Sequence, residues 1–141
     1  MRILALDIGK KRIGVSISDG LGIAAHGLAT IENRGPESTI KKIASIVEEE
    51  GVSEIVLGLP KNMDDSMGKM AQYVISFKDN LMGHLNIPIT LWDERLTSHY
   101  AENLLIEADV SRRKRKEKID KLSAIIILQD YMDWRMNACQ K

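Results

Sequence analysis

Apolar positions along the chain repeat with two different periods, and the switches between them outline the fold. Ile3-Leu4-Ala5-Leu6 is apolar at every position, the pattern of a central strand covered on both faces. Asp7 falls at its C-terminal end. Gly9 to Arg12 reads as a turn into a second strand, Ile13 to Ser18, where Ile13, Val15 and Ile17 alternate with Gly14, Ser16 and Ser18. A third strand follows around Leu28 to Ile31 and stops at the breaker Asn33-Arg34-Gly35-Pro36. The period then becomes helical from about Pro36 to Glu50: Ile40, Ile43, Ala44 and Val47 share a face, Pro36 suits a first turn and Gly51 a stop. Glu54 to Leu59 is a buried strand. Asp65 or Ser66 can cap a second helix bearing Met67, Met70, Ala71, Val74 and Phe77 or Ile75, which ends near Gly83. Ile87 to Trp92 is the fifth strand. Thr97 or Ser98 can cap a third helix with Ala101, Leu104, Leu105 and Ala108, and after a basic run a final helix spans about Lys118 to Met136.

Three strands, helix, strand, helix, strand and helices make an antiparallel meander followed by crossovers that add parallel strands. The expected fold class is α/β: a mixed five-stranded sheet with helices on both faces, in one domain spanning residues 1–141. A length of 141 residues, 44% hydrophobic and 28% charged, suits one buried core and argues against disorder. The single cysteine, Cys139, cannot form an internal disulfide, which fits a reducing compartment. The run Ile3 to Leu6, broken by Asp7, is too short for a signal peptide or membrane span, so no membrane partner is expected. Lys plus Arg equals Asp plus Glu at 20 each, so net charge names no partner, yet six of the seven positions from Arg112 to Lys118 are basic.

In an open α/β sheet ligands collect beyond the C-terminal strand ends, and three carboxylate features converge there. Asp7 ends the first strand, or simply helps Gly9 turn the chain. Asp93-Glu94 ends the fifth; since neighbouring strand residues face opposite ways, only one can readily join Asp7, and Glu94 is the choice. The alternative is that Arg95 neutralises one of them on the surface. Asp120 lies in the first turn of the last helix, where the dipole alone favours an acid. Its face carries Ala124, Ile127 and Tyr131, however, which directs it inward, where a carboxylate needs a partner or a metal. Oxygen donors of this kind suit Mg²⁺ or Mn²⁺ rather than zinc, and His26, His84 and His99 lack zinc-site spacing. Such an acidic site serves phosphodiester hydrolysis. Arg112, Arg113, Lys114, Arg115, Lys116 and Lys118 could bind phosphates, or form a solvated charged loop. Lys10, Lys11 and Arg12 make a smaller cluster beside Asp7. Asn62, in Gly58-Leu59-Pro60-Lys61-Asn62, could meet a phosphate or sugar. Trp92, Trp134 and the three tyrosines are too dispersed for a base-stacking platform and read as packing residues.

DIGKKRIGVSISD (Asp7 to Asp19), GLPKNMD (Gly58 to Asp64), DERLTS (Asp93 to Ser98) and SRRKRKEKIDKLSAIIILQDYM (Ser111 to Met132) together resemble the YqgF/RuvX family over nearly the whole chain. The resemblance implies an RNase H-like fold, a cytoplasmic location, and a nuclease described either as processing the 5′ end of pre-16S rRNA or as a Holliday junction resolvase. It implies Asp7, Glu94 and Asp120 as the catalytic acids that hold a divalent metal. Lys10, Asp65 and Ser123 depart from the family's usual residues, Ser123 standing where alanine is usual.

The expectation is therefore an Mg²⁺- or Mn²⁺-dependent endonuclease in ribosome biogenesis. Asp7, Glu94 and Asp120 are its metal ligands, with Asp93 as a further candidate. Its nucleic-acid contacts are Lys11, Arg12, Asn62, Arg95, Arg112, Arg113, Lys114, Arg115, Lys116 and Lys118. The partners are structured RNA or branched DNA and a ribosome precursor, and the protein is a monomer or homodimer. Rival readings are a junction resolvase in DNA recombination, a non-catalytic RNA-binding assembly factor, and an actin-like or sugar-kinase ATPase, for which the chain is short.

Overall fold

The computed structural model describes residues 2–21, 23–60, 68–93 and 112–139, with side chains of the last segment described over 121–135. Its strands are β1 (Arg2–Ile8), β2 (Arg12–Ser18), β3 (Ala25–Glu32), β4 (Val52–Leu59) and β5 (Ile89–Asp93), and its helices are α1 (Pro36–Glu50), α2 (Lys69–Met82) and α3 (Arg112–Cys139). The sheet order is β3-β2-β1-β4-β5. β1 pairs antiparallel with β2, and β2 with β3, whereas β1–β4 and β4–β5 are parallel. This is the expected meander with added crossovers, and β1 is central as its unbroken apolar run requires.

The two faces of β1 carry separate cores. Leu4, Leu6 and Ile8 join Ile40 and Ile43 of α1 and Ala71, Val74, Phe77 and Leu81 of α2 in one cluster. Ile3 and Ala5 join Val56 with Ile127, Leu128, Tyr131 and Met132 of α3 in the other. Of the alternatives for α2, Phe77 is the buried one and Ile75 packs at the margin.

Several boundaries differ from the sequence reading. β1 continues through Ile8, so Asp7 lies within the strand rather than after it, held by pairing to Gly14. α2 begins after Gly68, which takes the N-cap position, and the expected caps Asp65 and Ser66 lie outside the described residues. α3 starts at Arg112, not near Lys118: the basic run is helical, not a loop, because Arg and Lys are good helix formers whatever their charge. The third helix expected around residues 101–108 lies outside the described residues, as do residues 61–67.

α3 approaches the sheet closely because β2 and β3 offer it small residues. The Ser16 hydroxyl donates to the Ala124 carbonyl at 2.7 Å. A methyl group added at Gly27 would come within 3.2 Å of Ile125 Cδ1, so the Ile125 tip would have to give by a few tenths of an ångström. Gln129 clasps the β2–β3 connection, accepting from Ala25 N–H at 3.2 Å and donating to the Ile23 carbonyl at 3.1 Å.

Candidate active site

Asp7 shares the α3 face of the sheet with Ile3 and Ala5, by strand alternation. Its partner in β2 is Gly14. On the other side the parallel register, Leu6 opposite Leu57, brings Gly58 next in line. The half-buried carboxylate thus stands in a row whose neighbours on both flanks are glycines, both of them buried.

Contacts along α3 show where Asp120 enters. Gln129 meets Ala25, the partner of Ser18; Ala124 meets Ser16, two residues further along β2. Five helical residues advance roughly 7.5 Å and two strand residues roughly 6.7 Å, so helix and strand keep step here. One more turn toward the N-terminus carries the helix from Ala124 to position 120 and the strand from Ser16 to Gly14, the partner of Asp7. Ala124, Ile127 and Tyr131, the face expected to include Asp120, are all buried. The Asp120 side chain itself lies outside the described residues.

Asp93 pairs with Leu59, which belongs to the core beneath α1 and α2, so alternation gives Asp93 the face opposite Asp7. Glu94, Arg95 and Asn62 lie outside the described residues. Among the described residues no three histidine, cysteine or acidic side chains gather closely enough to hold a metal ion. Lys11 is exposed and Arg12 half-buried at the hairpin beside Asp7.

That hairpin is fixed by a residue the sequence reading treated only as a breaker. Asn33 donates through Nδ2 to the Gly9 carbonyl at 2.9 Å and to the Tyr73 hydroxyl at 2.7 Å, and its own N–H reaches the Lys11 carbonyl at 2.9 Å. It ties the turn after Asp7 to the start of α1 and to α2. The signal was an asparagine just before Arg-Gly-Pro, which can satisfy several backbone groups at once.

The fit of a divalent ion rests on Asp7, which supplies hard anionic oxygen in a glycine-flanked row, the donor chemistry that Mg²⁺ and Mn²⁺ take. Ser123, three residues after Asp120 on the helix, is fully buried, and its hydroxyl has no hydrogen-bond partner among the described residues. Left unpaired it destabilises, so Ser123→Ala is expected to stabilise the metal-free protein by about 1 kcal/mol, raising the melting temperature roughly 3–5 °C in EDTA. A thermal melt showing no gain would mean the hydroxyl is satisfied.

The structure corrects the reading of the aromatics. Trp92, distant in sequence, joins Tyr131 and Trp134 of α3 in one cluster: ring centroids lie 5.6 Å apart for Trp92–Tyr131, 5.6 Å for Trp92–Trp134 and 6.1 Å for Tyr131–Trp134. Linear spacing hid this because β5 and α3 meet only through the fold. The Tyr131 hydroxyl donates to Glu54, whose other oxygen accepts from Arg135 at 2.5 Å. Burial, then the hydrogen bond to Glu54, holds the Tyr131 hydroxyl above the ordinary tyrosine pKa. On the same helix Asp130 titrates above the usual carboxylate range, first through burial and then through the charge of Asp133.

Among the described residues no helix is long and apolar enough to cross a membrane. The fold is similar to that of a fowlpox virus resolvase solved with Holliday junction DNA (TM-score 0.59, 13% identity, 96% of this chain and 99% of that one). It is equally similar to Thermus thermophilus RuvC solved with a Holliday junction substrate (TM-score 0.58, 13% identity, 96% of both chains). These place the chain in the RNase H-like fold of those resolvases. Two curated relatives carry the name "Putative pre-16S rRNA nuclease". One, from Thermoanaerobacter pseudethanolicus, is 49% identical over 97% of this chain and 99% of its own length. The other, from Pelotomaculum thermopropionicum, is 48% identical over 94% and 87%. The family model described as "RuvX: Holliday junction resolvase" matches residues 1–134, and with relatives this similar over nearly their full length the chain belongs to the RuvX family.

Proposed function

We propose that the chain is an Mg²⁺- or Mn²⁺-dependent endonuclease that trims the 5′ end of precursor 16S rRNA in the cytoplasm. The observation that carries this reading is the register of α3 on β2, which advances position 120 to the level of Gly14 and hence of Asp7. Asp7, Glu94 and Asp120 would hold the ion, Glu94 being preferred because alternation takes Asp93 to the other face. A divalent ion bound there supplies Lewis acidity and lowers the pKa of its water. The protein's own part is placement. Lys11 and Arg12 hold a phosphate beside Asp7, with Asn62 and Arg95 as further contacts.

The helical state of the basic run sharpens its role. Arg112, Arg113, Lys114, Arg115, Lys116 and Lys118 sit at the start of α3, where they add to the positive end of the helix dipole instead of opposing it. A polyanionic strand relieves that repulsion, and it leads directly toward position 120.

A second reading, resolution of four-way DNA junctions, is favoured by the family's description and by the junction-bound resolvases of the same fold. It calls for a two-fold dimer with two sites, whereas rRNA trimming needs only a monomer. The test incubates the purified chain with precursor 16S rRNA and with a four-way DNA junction in Mg²⁺, Mn²⁺ or EDTA. Trimming of the rRNA with either metal and none in EDTA is expected. Cleavage confined to the junction would assign the second reading. Salt-sensitive binding of RNA that stays intact would mean an assembly factor without catalysis.

A further inference from the structure

Two turns meet at the C-terminal end of the sheet and bring their cations together. β2 is antiparallel to both β1 and β3, so β1 and β3 end at the same edge, and the turn after Ile8 lies beside the turn after Glu32. Arg12 pairs with Glu32 there. Asn33 staples the two turns: its N–H reaches the Lys11 carbonyl at 2.9 Å and its Nδ2 the Gly9 carbonyl at 2.9 Å. Residues 9–12 and 32–42 hold six basic side chains, Lys10, Lys11, Arg12, Arg34, Lys41 and Lys42, against two acids, Glu32 and Glu37, in a chain whose totals balance at 20 each. Glu32 accepts from the Arg34 guanidinium at 2.7 Å, which fixes where that cation points while its side chain stays 75% exposed.

Two clefts at the start of α1 show how far these cations reach. Arg34 and Lys41 line one of about 660 Å³, and Arg34 and Lys42 line a second of about 450 Å³, so Arg34 borders both. From Arg34 to Lys42 the chain advances roughly 12 Å along the helix, the rise of roughly three or four nucleotides in a duplex. α1 packs on the sheet face of Leu4 and Leu6, opposite the face of Asp7.

We propose that Lys10, Arg34, Lys41 and Lys42 form a second backbone-binding surface, which holds a nucleic-acid arm flanking the scissile bond. The occupant follows from charge and continuity. The surface begins at Lys11 and Arg12, beside Asp7, and suits a partner with several regularly spaced negative charges; a phosphate backbone crossing this end of the sheet supplies them. Because Asp7 and α1 lie on opposite faces, only a substrate that extends past the cleaved bond over the sheet end reaches both. The surface therefore adds affinity for long substrates without reading sequence, since phosphate contacts carry none. It rests on the nuclease reading for what brings nucleic acid to this edge but makes no use of catalysis.

The experiment measures binding of the full chain to a fluorescein-labelled RNA hairpin by anisotropy, in EDTA, across a range of salt concentrations. The variant Arg34→Gln/Lys41→Gln/Lys42→Gln removes three charges and keeps good helix formers in α1. Its affinity is expected to fall about 10-fold or more at about 0.1 M salt, and the slope of log affinity against log salt to shrink by about 2–3. Lys41→Gln alone should shrink the slope by about 1, whereas Lys78→Gln, well down α2 from this edge, should leave it unchanged. A hairpin of unrelated sequence should show the same losses, and melting curves check that the variants fold. Wild-type slope and affinity in the triple variant, equal losses for Lys78→Gln and Lys41→Gln, or no binding of RNA by the wild type would each overturn the surface. These losses in a protein that cleaves neither rRNA nor junction would reject the nuclease reading and leave the surface standing. Cleavage by a chain whose triple variant binds like wild type would do the reverse.

Discussion

Replacing Asp7 by asparagine is expected to remove metal-dependent cleavage while leaving the fold intact. The side chain keeps its shape and loses only its negative charge. Mg²⁺ depends on that charge, because it gives up its water reluctantly and is held through one or two carboxylates. Even outer-shell partners of metal sites are worth roughly 10–100-fold, so loss of a ligand charge should lower the rate by about 100-fold or more. The fold should tolerate the change, since Asp7 lies between Gly14 and the strand of Gly58 and belongs to neither apolar cluster. Cleavage of precursor rRNA and junction DNA is followed across a Mn²⁺ titration, with circular dichroism as the check on folding. Activity within 3-fold of wild type at saturating Mn²⁺ would remove Asp7 from the site.

How much of this was legible in the sequence depends on whether local pattern or long-range contact set each feature. β1 could be read as central because Ile3 to Leu6 is apolar on both faces, and both faces carry a core. The small residues Gly14, Ser16 and Ser18 were visible as one alternating face of β2. That they admit α3 so closely was not, since it needs the partner helix. Alternation allowed only one of Asp93 and Glu94 to join Asp7, and the pairing of Asp93 with Leu59 turns Asp93 to the other face. Charge misled at the basic run: a dense cationic stretch reads as solvated loop, while its residues individually favour helix. The long-range bonds of Asn33 and the contact of Trp92 with Tyr131 and Trp134 were illegible for a shared reason. Those Asn33 partners lie 22 to 40 residues away and Trp92 sits on a different element from the other two rings, so no local window contains these interactions. Of the proposed site, the sequence supplied the acids, and the sheet and helix registers bring position 120 level with Asp7.

Gly9→Ala is expected to damage stability and activity together, because this glycine controls the turn that follows Asp7. Its N–H donates to the Arg12 carbonyl at 2.9 Å, and a methyl group at Gly9 would lie 2.5 Å from that same oxygen. The obstacle is backbone and cannot swing aside as a side-chain tip would. The turn must open, straining the Asn33 bond to the Gly9 carbonyl and the register that places Ile8 opposite Ile13. Overpacking of this kind costs about 1–3 kcal/mol, seen as a lower urea midpoint with an unchanged slope. The activity loss should exceed what stability alone explains. Asp7 and Arg12 sit on the two sides of this turn, and a shift of about 1 Å in a catalytic arrangement is worth roughly 100-fold in rate. Gly20 provides the control: a methyl group there meets nothing within 4 Å, so Gly20→Ala should match wild type in both measurements. If Gly9→Ala melts and cleaves like Gly20→Ala, the hairpin is not what positions Asp7, and its placement must come from β1 and β4 alone.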